Sequence, residues 1–152
     1  MRLFFTLFLF LFTTLQIFAQ SSNPYKLDYS TYFGGSEFEQ ARDLEVDKDG
    51  FIYIAGGTSS PDFPTTEGAY NREYNNEGSE TVGSWGPMMA FVAKFAPDGG
   101  LIWSTYVGGP NYDRAYAVEV DDEGYVYIGG RAGDDFPTTP GAYQEEFTQK
   151  GH

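Results

Sequence analysis

Apolar positions in this chain fall in short runs closed off by glycine, aspartate or proline, and no run keeps a helical period. Leu27–Phe33 is rich in aromatic and β-branched residues and stops at Gly34-Gly35. Ala41–Val46 runs into Asp47-Lys48-Asp49-Gly50, and Phe51–Ala55 follows at once. Ala90–Phe95 and Leu101–Val107 flank Pro97-Asp98-Gly99-Gly100, while Ala115–Val120 and Tyr125–Ile128 flank Asp121-Asp122-Glu123-Gly124. Runs bounded in this way predict seven strands. An Asp/Gly turn between two of them predicts a hairpin, because Gly and Asp tolerate the positive φ of tight turns. The fold class is therefore all-β.

Two of the runs do not alternate apolar with polar. Phe51-Ile52-Tyr53-Ile54 and Tyr125-Val126-Tyr127-Ile128 are apolar on successive positions, so both faces of these strands are expected to be covered. The chain also repeats itself. Leu27–Gly56 and Leu101–Gly130 match in register at an offset of 74 residues, placing Tyr32 on Tyr106, Ala41 on Ala115, Gly50 on Gly124 and Tyr53 on Tyr127. After one deletion Asp62-Phe63-Pro64-Thr65-Thr66 matches Asp135-Phe136-Pro137-Thr138-Thr139, and Gly68-Ala69-Tyr70 matches Gly141-Ala142-Tyr143. Duplicated small antiparallel sheets with two covered faces predict blades stacked about an axis. The small residues of Ala115-Tyr116-Ala117-Val118 suit the crowded strand nearest that axis.

The residues of the repeat carry a family resemblance. Ser30–Gly35 (STYFGG), Ser104–Gly109 (STYVGG), the aspartate-glycine hairpins that follow, both DFPTT segments, both GAY segments and Ala90–Gly100 (AFVAKFAPDGG) resemble the SBBP β-propeller repeat, named for a proposed seven-bladed propeller. The resemblance implies a secreted or cell-surface β-propeller and supplies no catalytic residues. It extends over most of residues 27–144, yet the strand signals amount to about two blades, against about 4–8 in a closed propeller. The expectation is an incomplete propeller, a fragment of a longer protein.

Residues 1–19 stand apart. Met1-Arg2, the apolar Leu3–Phe12 and the small Ala19 predict a secretory signal cleaved near Ala19. The remainder divides into a polar lead-in at 20–26, propeller repeats at 27–148 and a tail at 149–152. Within the repeats, repeat one spans 27–70, an inserted loop 71–89, a linking hairpin 90–107 and repeat two 101–144. No membrane span is expected after processing.

Charge and composition narrow the function. The net charge is −13, and loss of residues 1–19 removes Arg2 and no acid. Such a surface repels phosphate backbones, which argues against nucleic acid as a partner. There is no cysteine, so disulfides, thiolate metal sites and cysteine nucleophiles are excluded. The single histidine is His152, which leaves no internal Ser–His arrangement. The acids single out no pair suited to glycoside hydrolysis. Neither a catalytic residue nor a cofactor is expected.

Candidate binding features are few. The two Asp/Gly turns offer carboxylates to calcium but lack the spaced acids of a complete calcium loop, and hairpin chemistry accounts for them. The DFPTT segments suit loop packing better than repeated pockets. Asn71–Met89 (NREYNNEGSETVGSWGPMM) is long for a connection, and such loops are usually functional or disordered. Within it Trp85 and Tyr74 are the candidate ligand-binding residues, aromatic faces able to stack on a sugar or a partner. Trp103 lies in a strand and is assigned to packing. The expected function is an exported, non-catalytic scaffold or binding module whose partner is an extracellular protein or glycan. A lectin closing its ring as a homo-oligomer and a carbohydrate-processing enzyme are the alternatives.

Overall fold

The computed structural model describes residues 25–75 and 87–148; the predicted leader at 1–19, Trp85 and the tail at 149–152 lie outside them. The chain divides into two compact units, Met1–Ser30 and Thr31–His152. The described part of the first, residues 25–30, has no regular structure. The second holds six strands and, among the described residues, no helix. They are β1 (Glu39–Val46), β2 (Ile52–Thr58), β3 (Met89–Phe95), β4 (Leu101–Val107), β5 (Arg114–Val120) and β6 (Val126–Arg131). A four-stranded sheet has the order β1-β2-β3-β4, and a two-stranded sheet pairs β5 with β6, every pairing antiparallel.

The duplication of the hairpins extends to their geometry. β1 and β2 pair Val46 with Ile52 and Leu44 with Ile54; β5 and β6 pair Val120 with Val126 and Val118 with Ile128. The register slips between Ala41 and Asp43 in the first hairpin, and between Ala115 and Ala117 in the second. Gly56 and Gly130 sit opposite these bulges. A Cβ at Gly56 would overlap the Gln40 carbonyl and one at Gly130 the Arg114 carbonyl, so the bulge requires glycine across from it.

Two clusters form the core, one on each face of the four-stranded sheet. On one face Tyr53, Ala55, Ala90 and Val92 are buried with Ala115 and Val118 of the second sheet; Phe51, Trp103, Val107, Val120 and Val126 pack around them. This is the seam between the sheets. On the opposite face Phe63, Met89, Phe91 and Tyr106 are buried, with Phe33, Ile54 and Tyr74 against them. Phe63 and Phe33 arrive from loops, so this face is covered partly by the blade's own connections.

Three expectations need correction. Residues 27–33 form no strand. Their counterpart β4 is held by β3, whereas no described strand lies beside 27–33 to receive their backbone hydrogen bonds. What survives of that segment's apolar signal is Phe33, which inserts edge-on against Phe63 (4.9 Å between ring centres) and Phe95 (5.0 Å). The inserted loop does not reach residue 89. Met88 and Met89 are fully buried, and Met89 opens β3 opposite Thr58. Finally, β6 is not covered on both faces: Tyr127 is 58% exposed, while its counterpart Tyr53 is 1% exposed. Among the described residues, no sheet lies over Tyr127.

Gly50 (φ 84°) and Gly124 (φ 87°) close the two equivalent hairpins in the left-handed region. Nothing lies within 4 Å of a Cβ built on Gly124, so a side chain there meets no clash and strains only the backbone. Gly124→Val is expected to lower stability by about 2 kcal/mol, while the neighbouring Glu123→Ala stays within about 0.5 kcal/mol. Urea midpoints of the two variants measure this, and equal small shifts would contradict the turn geometry.

Candidate functional site

The two hairpin turns lie side by side and enclose a groove of about 340 Å³ lined by residues of Glu45–Asp49, Phe51, Tyr53, Lys94 and Val120–Gly124. Each turn is built around its first aspartate. Asp47 Oδ1 accepts from the amides of Asp49 (3.0 Å) and Phe51 (2.9 Å), and its Oδ2 accepts from Tyr53 Oη (3.2 Å). Asp121 repeats the pattern with the amides of Glu123 (3.1 Å) and Tyr125 (2.8 Å) and with Tyr127 Oη (2.9 Å). The lone pairs a cation would need are thus directed at the turn's own donors. Lys94 lies at the groove with its ammonium 4.3 Å from the Phe51 ring centre and 4.8 Å from that of Tyr53, a cation held by aromatic faces.

The DFPTT segment of the first repeat ties its loop to the sheet. Asp62 Oδ1 accepts from the amide and the hydroxyl of Ser36, both at 2.8 Å. Phe63 is buried, its ring centre 4.7 Å from that of Phe91, and its amide donates to Tyr106 Oη (3.2 Å). Tyr106 Oη in turn donates to the Ser60 carbonyl (2.6 Å), and burial pushes this phenol up to about 12. Thr66 exchanges hydrogen bonds with the backbone of Ser104 on β4: its amide donates to the carbonyl at 3.1 Å and its Oγ1 accepts from the amide at 3.1 Å.

Other polar groups are consumed in the same way. Glu39 Oε1 accepts from Thr58 Oγ1 (2.8 Å) and from Ser60 Oγ. Its counterpart Asp113 is fully buried and accepts from the amides of Gly109 and Gly133, each at 2.7 Å; burial raises its carboxyl pKa, and these two bonds oppose the rise. Both carboxylates act as hydrogen-bond acceptors that tie neighbouring segments together.

Of the two candidate ligand-binding residues, Trp85 lies outside the described residues. Tyr74 is half-buried, its ring centre 5.9 Å from that of Tyr106 and its hydroxyl donating to the Pro87 carbonyl at 2.9 Å. Its ring packs against the cluster of Phe63, Met89, Phe91 and Tyr106. Trp103 packs edge-on to Tyr53 at 6.3 Å, as expected of a strand residue.

The sequence reading passed over two arginines near the seam. Arg114 is 5% exposed; its Nη1 donates to Tyr112 Oη at 3.2 Å, and its Nε and Nη2 have no acceptor among the described residues. Arg131 stacks on Tyr112 with its guanidinium carbon 4.8 Å from the ring centre. The signal was available: the first copy has the uncharged Gln40 and Gly57 at these positions.

The turn aspartates set a pH dependence. At Asp121 burial acts to raise the carboxyl pKa, but the hydrogen bonds from Tyr125, Tyr127, Glu123 and Gly124 outweigh it and hold the group below its ordinary 3.8. A carboxyl lowered on folding stabilises the chain above its unfolded value and loses that contribution as pH falls through the folded value. Urea midpoints of the native chain and Asp121→Asn are therefore expected to differ at about pH 7 and to converge below about pH 3. A gap that is the same at both pH values would contradict this role.

Comparison with known proteins agrees with the geometry. No curated protein matches the chain. Residues 102–137 match the beta-propeller repeat SBBP. The matched stretch takes in β4 from its second residue, all of β5 and β6, and the second DFP segment, and so runs from the outer strand of one sheet through the hairpin of the next. One four-stranded sheet with a two-stranded sheet stacked on it is consistent with part of a propeller, and residues 102–137 are similar to the SBBP beta-propeller repeat.

Proposed function

We propose that this chain is an exported β-propeller segment that works without catalysis, as an extracellular scaffold or binding module presenting loops from a rigid frame, within a longer protein. The observation that carries the reading is the repeat at residues 102–137, built from the same hairpin, bulge and aspartate turn as its earlier copy. A motif kept in each copy serves the shared architecture, and specificity then falls to the loops. The structural use of Asp47, Asp62, Asp113 and Asp121 supports a frame more than a reaction centre. The partner is an extracellular protein or a glycan, met through the long connection between β2 and β3. The acidic balance of the chain disfavours nucleic acid.

Export is tested by mass spectrometry of the chain recovered from an expressing cell. The expected N-terminus is near Gln20; intact Met1 on a membrane-embedded product would refute it. Binding is tested on glycan arrays and extracellular protein arrays, with each captured glycan followed for turnover. Trp85→Ala is expected to weaken capture at least about tenfold while leaving the urea midpoint unchanged. Tyr74→Ala, which removes a core ring, is expected to cost about 2 kcal/mol of stability. Turnover that disappears on replacing one carboxylate would sink the non-catalytic reading.

A further inference from the structure

Arg114 opens β5 inside the seam between the two sheets, and two of its three side-chain nitrogens go unmatched there. The side chain is 5% exposed. It lies over Gly57 of β2, where an added Cβ would meet its Cγ at 3.0 Å and the Met88 sulfur at 3.3 Å. Nη1 donates to Tyr112 Oη at 3.2 Å, whereas Nε and Nη2 are buried with no acceptor among the described residues. Arg131, paired with Arg114 across β5 and β6, sets a second guanidinium on the same tyrosine, 4.8 Å from its ring centre. The adjoining acid, Asp113, is turned to other work, its oxygens accepting from the amides of Gly109 and Gly133. Among the described residues neither arginine forms an ion pair. The first copy has Gln40 and Gly57 at the two positions, so the architecture of the hairpin does not require a cation at either.

Which nitrogens are free decides what they fit. Nε–H and the neighbouring Nη2–H lie along one edge of the planar guanidinium and point the same way. Such a fork matches the two oxygens of a carboxylate and holds them by parallel hydrogen bonds. Tyr112 ties down the opposite corner, so the fork is oriented in advance of any ligand. Arg114 and Arg131 also line a cavity of about 210 Å³, with Ala90, Ala115, Ile128 and Phe136 among its other walls. That is below the roughly 300–1,000 Å³ of pockets for drug-sized ligands, so the occupant is small. These four side chains offer no donor. A carboxylate has only two oxygens, and the fork satisfies both; a sulfate or phosphate brings further oxygens into an apolar wall, in a chain whose net charge of −13 resists a second negative charge. We propose that Arg114, with Arg131 beside it, binds a small free carboxylic acid in its ionised form. An anion in the fork also supplies the counter-charge that a buried cation needs.

Nitrogen-15 NMR of the full chain reads the arginine Nε–H directly. Acetate supplies the carboxylate alone, and glucuronate carries the same group on a sugar ring. Each is expected to shift the Arg114 Nε–H resonance saturably and to slow its exchange with water. The tighter of the two shows whether the cavity takes an aliphatic or a sugar body, and either ranking supports the site. Arg114→Gln, the side chain of the first copy at the aligned position, should weaken binding by at least about tenfold without lowering the urea midpoint. Arg114→Lys keeps the charge but loses the fork, and should weaken binding as much. The native-chain resonance decides the matter even where a variant fails to fold. No saturable shift with either acid, binding that survives Arg114→Gln, or sulfate or an acidic peptide bound more tightly than both acids would each overturn the inference. So would a midpoint that falls in Arg114→Gln while the acids leave the native resonance unmoved, which marks a packing role.

Discussion

Tyr53, Ala55, Ala90 and Val92 make a sheet face that β1–β4 cannot bury from within, and the stacking of Ala115 and Val118 upon it organises the rest of the described structure. A two-stranded sheet alone is marginal in water. β5 and β6 hold because their inner face lies against the four-stranded sheet, where β5 meets β1, β2 and β3. Alanines at this seam let the sheets approach closely, while Tyr53 and Trp103 fill the wider space toward the turns. Direction comes from polar contacts: Asp43 caps its own neighbour Leu44 with one oxygen and reaches the amide of Val118 with the other, and the amide of Asp113 donates to the Met88 carbonyl at 2.9 Å. A purely apolar contact would leave the sheets free to slide, whereas the bond from Val118 to Asp43 fixes which residue of β5 faces which residue of β1.

The repeat is staggered relative to the sheets, and this has a mechanical consequence. Residues 102–137 begin on the outer strand β4 and end beyond β6, so each unit spans a seam instead of filling one blade. The crossing between the sheets is held by Asp113, whose carboxylate gathers the amide of Gly109 before β5 and that of Gly133 after β6. Burying a carboxylate is costly, and the two short bonds offset part of that cost. In the first copy the longer Glu39 does the corresponding work through the hydroxyls of Thr58 and Ser60. The same task is met with an acid of different length because the donors differ: backbone amides in one copy, side-chain hydroxyls in the other.

Much of this was legible in the sequence. Hairpin turns announce themselves through Asp47…Gly50 and Asp121…Gly124 because a positive φ admits few residues, and unalternating strands such as Phe51–Ile54 announce a second covered face. The segment 27–33 misled for a physical reason: strand propensity describes a fit to a neighbouring strand, and no described neighbour is there. Met88 and Met89 misled because their polar, glycine-rich surroundings read as loop, while only the ladder with Thr58 reveals where β3 begins. At Tyr74 the sequence shows an aromatic in a polar stretch but not the Tyr106 ring it packs against.

What the copies do not share is the better guide to what this chain does beyond folding. Gly57 and Gln40 become Arg131 and Arg114, a change that places two cations near one seam of an otherwise acidic protein. An arginine buried with Nε and Nη2 unmatched would be selected against if stability were the only demand, since an unpartnered buried charge is among the costlier features of a fold. The long connection after Tyr70 is tied down at its near end by Asn71, whose carbonyl takes hydrogen bonds from Tyr106 and Thr105. Architecture is carried by the positions that repeat, since hairpin, bulge and aspartate turn recur in both copies.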